Sequence, residues 1–433
     1  MYSDKDRFMT AEPGEPSGSF VHTLQEGWPR PPNPSDPGRV ARMRPVEQIL
    51  SLSVRAKPSP STERRIVALK GSGDYRKCLQ ELTSAGIKPV KSSRALRLIC
   101  CHADKRHRWS RLRKHPRIAY VEKDAKVSAH ARFPASKKRL SLRTRQACPV
   151  KAPWNVCRVQ SPPLWKRTQG SGVKVAILDT GIAPHRDLRI AGGTNAIVPG
   201  GSFADDNGHG THVAGIAAAT GRGRLYGNAP RAGLYAVKAL DRKGEGYISD
   251  IVQGIDWCIA NGVRVINMSF GMAGDSLALR NALKRARRRG IVLVASAGNS
   301  GRFSGGLDAP ARYPETIAVA ASTRGNLPAF FSSRGRGIAV AAPGVNILST
   351  AKSGHYVRMS GTSMSAPHVT GGAALLRGYA PRLSAAGVAR RLRRYALRIP
   401  GGGNAVGSGL LQVAPAAYNR SRRAGTAKNK GRC

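Results

Sequence analysis

Four short runs in the middle of the chain are almost continuously apolar: residues 173–178, 232–238, 263–269 and 291–296. A strand with one wet face alternates apolar and polar positions, whereas an unbroken apolar run suits a strand buried on both faces of a parallel sheet. Stretches of helical period lie between them, at 211–219, 248–261 and 276–289. Strands alternating with helices predict an α/β domain with a doubly wound, mainly parallel sheet. Upstream the pattern is shorter. Residues 65–70 alternate like a strand, 75–85 are helix-like and end at Gly86, and 87–91 and 95–101 read as strands. A basic helical stretch at 106–114 then leads into Ile118-Ala-Tyr-Val-Glu-Lys-Asp124. This predicts a small α+β domain ahead of the larger one.

The flanks lack such periods. Residues 1–62 are rich in Pro, Gly and Ser, including Trp28-Pro-Arg-Pro-Pro-Asn-Pro34. Too little apolar surface is available there to offset the entropy of ordering, so disorder is expected. The same holds for a basic tail at 417–433. Residues 132–152, with Lys137-Lys-Arg-Leu-Ser-Leu-Arg-Thr-Arg145, read as an exposed basic linker of the kind where proteolytic nicking concentrates. The resulting division is 1–62, 63–131, 132–152, 153–416 and 417–433.

Composition changes the picture in three ways. The 433 residues are 41% hydrophobic, enough for a buried core. Lys and Arg number 72 against 24 acidic residues, a net charge of +48. Such a surface attracts anionic partners. With no recognisable nucleic-acid module in the chain, it reads as a solvated basic face without a specific nucleic-acid partner. The seven cysteines fit neither a dense disulfide framework nor a zinc site. Cys148 and Cys157 could pair, but unpaired thiols are the expectation. No apolar run reaches the ~18 residues of a membrane span, and the first residues lack the apolar stretch of a signal peptide.

The chemistry concentrates in four segments: Val175-Ala-Ile-Leu-Asp-Thr-Gly181, Asn207-Gly-His-Gly-Thr-His-Val-Ala-Gly215, Val294-Ala-Ser-Ala-Gly-Asn-Ser-Gly301 and Gly361-Thr-Ser-Met-Ser-Ala-Pro-His-Val369. They supply an Asp, a His, an Asn and a Ser in that order. A serine hydroxyl needs an imidazole to take its proton, and the imidazole needs a carboxylate to fix its tautomer and stabilise its charge. Asp179 ends an apolar strand, His209 opens a helix, and Ser363 sits at the start of another, where backbone N–H groups favour a developing oxyanion. A zinc motif would place two His residues four apart with a Glu nearby. His209 and His212 are three apart, and only one of them can be the base; Ser365 is the alternative nucleophile, against which the register of the motif argues, and His368 reads as structural.

This Asp…His…Ser order with these flanking residues resembles the subtilisin-like serine proteases, over residues 153 to 416. The resemblance implies a subtilisin-like fold and a serine endopeptidase in which Asp179, His209 and Ser363 form the triad, with the Asn299 amide in the oxyanion hole. It implies polypeptide substrates bound as an added strand between Gly244-Glu245-Gly246 and Ser269-Phe270-Gly271. Ser296, Ala297 and Gly298 would wall the primary specificity pocket. Asp308 falls near its floor, where relatives carry a small neutral residue, so a preference for Lys or Arg is expected. Residues 63–131, closing on Ala-Tyr-Val-Glu-Lys-Asp, resemble the family's inhibitory propeptide, an intramolecular partner. A zymogen that cuts itself between about Ala131 and Cys148 follows. Relatives bind calcium in a loop after the His-bearing helix; Asp187 matches one ligand, but Thr220-Gly-Arg-Gly-Arg-Leu-Tyr226 has Gly and Arg where an Asn would coordinate. No cofactor is expected for catalysis, a structural calcium stays open with its usual loop ligand missing, and a monomer is expected. The family implies an extracellular enzyme, while this N-terminus leaves a cytoplasmic one open. A catalytically silent binding protein on the same scaffold is the alternative, and it would be expected to have lost one of the four groups. The dibasic-specific convertases carry different residues around their Asp and Ser.

Overall fold

The computed structural model describes residues 44–107, 109–130, 148, 152–303 and 305–418. Helix α1 (Val46–Ser53) and strand β1 (Val54–Arg55) lead into β2 (Thr62–Leu69), α2 (Ser72–Ser84), β3 (Lys91–Ser93), β4 (Leu98–Asp104), α3 (Ser110–Lys114) and β5 (Ile118–Lys123). These strands form an antiparallel sheet in the order β1-β4-β2-β5, with β3 sharing the β1 edge of β4. Alternate residues face opposite ways. Val67, Leu69, Ile99 and Cys101 pack under the helices, whereas Ile66, Leu98 and Cys100 join the core of the larger α/β body. Both faces are covered, which accounts for the run of four buried residues at the end of β2.

The N-terminal unit departs from three expectations. Helix α1 lies inside the segment expected to be disordered. Val46 and Leu50, one turn apart, bury an apolar stripe against the sheet together with Val54. A Pro-rich average over 1–62 hid that stripe; residues 1–43 lie outside the described residues. The strand expected at 87–91 begins only at Lys91, because Pro89 has no N–H to give a ladder. The expected helix at 106–114 is confined to α3.

The linker expectation falls outside the described residues except at Cys148 and Ala152. Cys148 is disulfide-bonded to Cys157, against the expectation of free thiols. Helix α4 (Trp154–Arg158) turns the chain back so that the two Cα atoms lie 5.8 Å apart, within disulfide reach. Cys78, Cys100, Cys101 and Cys258 are buried free thiols.

The α/β body contains β7 (Lys174–Asp179), β8 (Ile190–Asn195), α5 (His209–Ala218), β9 (Gly233–Lys238), α6 (Ile248–Ala260), β11 (Val265–Met268), α7 (Leu277–Arg288), β13 (Val292–Ser296), β14 (Ile317–Ser322), β15 (Ile338–Pro343), α8 (Thr362–Tyr379) and α9 (Ala385–Arg394). Short strands β6 (Lys126–Ala129), β10 (Glu245–Tyr247) and β12 (Phe270–Gly271) stand apart from this series. Seven parallel strands run in the order β15-β14-β13-β11-β7-β9-β8. Within β7, Val175 and Ile177 pack towards α5 and α8, while Ala176 and Leu178 pack towards α6 and α7. The four expected strands and three expected helices all sit in this doubly wound body. Strands β8, β14 and β15 were not anticipated; β8 reads Ile-Ala-Gly-Gly-Thr-Asn, which has little strand propensity. After β9 the chain crosses to the other side of β7. Such a reversal opens a crevice at the carboxyl ends of the strands, where ligands bind in sheets of this kind. A last helix, Val413–Tyr418, continues the fold two residues beyond the boundary expected at 416. Among the described residues no helix is long and apolar enough to cross a membrane.

Candidate active site

Asp179 is the last residue of β7 and is fully buried. Its Oδ1 accepts from the Thr180 N–H at 2.8 Å and lies 2.7 Å from His209 Nδ1. His209 opens α5, and that helix start is held by Asp205. One Asp205 oxygen accepts from Thr180 Oγ1 and from the Asn207 and Gly208 amides; the other accepts from the amide and hydroxyl of Thr211. Burial opposes an imidazolium at His209, but the adjacent Asp179 charge and hydrogen bond outweigh it, so its pKa is raised above 6.5. His209 Nε2 is buried without a hydrogen-bond partner among the described residues.

Ser363 lies in the first turn of α8, after Gly361 at φ 153°. Its hydroxyl donates to the Ser269 carbonyl at 2.9 Å, and the Ser269 hydroxyl returns a 3.2 Å bond to the Ser363 carbonyl. Asn299 sits just beyond β13. Its Oδ1 accepts from both the amide (3.0 Å) and the hydroxyl (2.9 Å) of Thr362. Its Nδ2 donates at 2.7 Å to the carbonyl oxygen of His130.

His130 is the last described residue of the N-terminal α+β unit, and the segment before it fills the cleft. Strand β6 runs antiparallel between β10 and β12, pairing Val127 with Gly246, Ser128 with both Glu245 and Gly271, and Ala129 with Phe270. The Ala129 amide donates to Gly244 O at 2.9 Å and the His130 amide to Ser269 O at 3.1 Å. The two segments expected to bind an extended peptide thus flank one. Beyond them the His130 ring meets Ser296 Oγ at Nδ1 (2.8 Å) and Asp308 Oδ2 at Nε2 (2.9 Å). Ala297 accepts the Asp308 amide, and a Cβ at Gly298 would stand 2.5 Å from Asp308 Oδ2. Glu245 pairs with Lys126 at 2.8 Å on the rim.

The closing motif of the α+β unit caps two helices of the α/β body. Glu122 accepts from Ser276 Oγ and from the Leu277 and Ala278 amides at the start of α7. Asp124 accepts from the Ser249 amide and hydroxyl at the start of α6, and pairs with Arg64 at 2.8 Å. Carboxylates suit these positions because helix N-termini present unpaired N–H groups and partial positive charge. The motif stands out in the sequence, but these contacts do not follow from it, and neither do the roles of Asp205, Thr362 and His130. An Asp four residues before a helix-opening His was the available signal for the first.

The other two histidines of these motifs, His212 and His368, are enclosed. His212 Nε2 lies 3.1 Å from the Ile347 and Val357 carbonyls, and burial, with His209 nearby, lowers its pKa to about 3. Burial lowers the pKa of His368 to about 4; its Nδ1 meets the Met364 carbonyl and its Nε2 meets Asn155. Asp187 is surrounded by donors. The Gly223 and Leu225 amides and the Tyr356 hydroxyl all point at its carboxylate. A calcium ion needs converging oxygen acceptors, so this donor-lined loop does not fit one.

The sequence profile of the Subtilase family matches residues 170–422. An alkaline protease of Alkalihalobacillus alcalophilus is 42% identical over 300 residues, 69% of this chain and 73% of its own length. Subtilisin Savinase of Lederbergia lenta is 44% identical over 263 residues, 60% of this chain and 97% of its own. The minor extracellular protease Epr of Bacillus subtilis is 42% identical over 268 residues, 61% of this chain and 41% of its own.

Proposed function

Because this chain belongs to the subtilase family and is a subtilisin-like serine endopeptidase, we propose that it is a self-processing precursor using Asp179, His209 and Ser363. The observation carrying this reading is the His130 carbonyl held on the Asn299 amide, at the end of a strand laid between β10 and β12. A peptide so placed is held as a substrate would be. Rotation about the Ser363 Cα–Cβ bond moves the hydroxyl from the Ser269 carbonyl towards His209 Nε2, the nitrogen left free. Ser363 Oγ then attacks the substrate carbonyl as its proton passes to Nε2, and Asp179 stabilises the imidazolium at Nδ1. The oxyanion forms against Asn299 Nδ2 and the N-terminus of α8. The imidazolium protonates the departing amine, and water repeats the sequence on the acyl-enzyme.

In this reading residues 44–130 are the inhibitory propeptide, anchored through Glu122 and Asp124. The enzyme works as a monomer on polypeptides, with no metal in catalysis. The Cys148–Cys157 bond favours an oxidising location outside the cytoplasm. A fluorophosphonate probe should label Ser363 and abolish casein hydrolysis. The Ser363→Ala precursor should stay full length in a protease-deficient host, whereas wild type shortens. Equal shortening of both would assign processing to another protease.

A further inference from the structure

The residue in the specificity pocket is a histidine, and each ring nitrogen has a partner. Asp308 Oδ2 faces Nε2 at 2.9 Å and Ser296 Oγ faces Nδ1 at 2.8 Å. A neutral ring protonated on Nε2 satisfies this geometry, donating to Asp308 and accepting from Ser296. A protonated ring satisfies it as well, because a serine hydroxyl both donates and accepts. The ring packs over bare backbone: a Cβ at Gly271 would stand 2.4 Å from His130 Cε1. Asp308 is fixed under Gly298, with its amide on Ala297 O and its carbonyl receiving the Arg312 amide.

We propose that Ser296 and Asp308 make this pocket a histidine site, and that the enzyme's own first cut falls between His130 and Ala131. The proposal rests on the reading of Ser363 as nucleophile. Phe or Leu in the pocket would leave the Asp308 carboxylate and the Ser296 hydroxyl unpaired, and a site built to hydrogen-bond its ligand rejects analogues that cannot. Lysine and arginine carry their charge farther from Cα than an imidazole carries Nε2, so on the same backbone they overrun Asp308. The preference for Lys or Arg expected from an acidic floor is therefore replaced by one for histidine. In the first cut Ser363 Oγ bonds to the His130 carbonyl carbon, and the C–N bond to Ala131 breaks. The Ser363 proton travels through His209 to the new Ala131 amine. Water then releases His130 as a free carboxylate. This bond lies at the N-terminal edge of the window expected from the linker.

Two measurements test the pocket. The first is kcat/KM of active wild-type enzyme on matched peptides carrying His, Lys, Arg, Phe or Leu before the scissile bond. His should exceed each of the others at least tenfold, and the His:Phe ratio should fall at least tenfold in Asp308→Gly and severalfold in Ser296→Ala. Equal or better cleavage after Lys, Arg, Phe or Leu by wild type would overturn the proposal without needing any variant to fold. The second is mass spectrometry of the first termini formed in the wild-type precursor, expected at His130 and Ala131; a first cut elsewhere overturns the assignment. An enzyme labelled at Ser363 that cuts after Phe refutes the histidine pocket alone. Failure to cut any of the peptides, with no labelling of Ser363, refutes the protease reading beneath it.

Discussion

Asn299 receives both the amide and the hydroxyl of Thr362 on its Oδ1 atom, at 3.0 and 2.9 Å. A backbone N–H can only donate, so the atom facing it must be the amide oxygen. The Nδ2 group is thereby turned to the cleft, where it donates to the His130 carbonyl. Asn299→Ala should lower kcat by ~10²–10³ with KM little changed, as loss of one oxyanion donor does. Thr362→Val keeps the N–H and removes the hydroxyl, so a loss nearer tenfold is expected. Steady-state kinetics on one peptide compares the two; a larger effect of Thr362→Val than of Asn299→Ala would contradict this arrangement.

In the proposed mechanism the Asp179–His209 pair is expected to set the acid limb of the pH profile. His209 must be neutral to accept a proton, and its raised pKa places the fall in kcat/KM above pH 6.5 as pH is lowered. The same shift stabilises the fold at low pH: the contribution is full below the unfolded pKa and disappears as pH rises through the folded one. Asp179→Asn should lower kcat by about 10⁴ and move the limb to lower pH, because the charge that raised the pKa is gone. A pH–rate profile with an unmoved limb would show that Asp179 does not control His209.

Asp205 is predicted to be a positioning residue. Five donors converge on its carboxylate at the start of α5. Asp205→Ala leaves buried amides unpaired, at a cost of about 2 kcal/mol or more. Both Tm and kcat should fall, while Asp205→Asn retains part of each. Calorimetry paired with kinetics checks this; an unchanged kcat in a folded Asp205→Ala would reduce the residue to a helix cap.

The loop around Asp187 predicts indifference to chelators. Its carboxylate already accepts from Gly223, Leu225 and Tyr356. Adding EDTA should leave Tm and the inactivation rate at high temperature unchanged. A drop of several degrees that calcium restores in wild type and that Asp187→Ala abolishes would overturn this reading of the loop. Tyr356→Phe should lower stability by about 1.5–3 kcal/mol through loss of one hydrogen bond to a charged group.

Glu122 and Asp124 should govern how long the cleaved propeptide holds on. Each caps a helix of the enzyme, and a cap is worth ~0.5–2 kcal/mol. Glu122→Ala in the precursor, which removes one of the two caps, should shorten the lag before activity appears by between a few fold and ~30-fold. Activity followed from the moment of processing measures the lag, and no change in it would show that β6 alone carries the inhibition.

What the sequence determined by itself is whatever depends on local order. The double-sided apolar runs gave β7, β9, β11 and β13, and the alternation with helices gave the parallel sheet. The residues proposed for catalysis stood out in the sequence because each sits at or just beyond a strand end, or at a helix start, with distinctive flanking residues. Helix α1 was lost in the average composition of a Pro-rich segment. The Cys148–Cys157 pair was open in the sequence but not expected, because its partners meet only after α4 has turned. Tertiary structure alone decided which residue of the propeptide-like segment ends in the cleft, and in what register. His130 carries no local signal; it becomes informative when antiparallel pairing of β6 sets its carbonyl on Asn299 and its ring between Ser296 and Asp308. Those three partners lie more than 160 residues away along the chain. Position within a strand or helix is set by neighbours in sequence, whereas a pocket is set by the register in which distant strands pair.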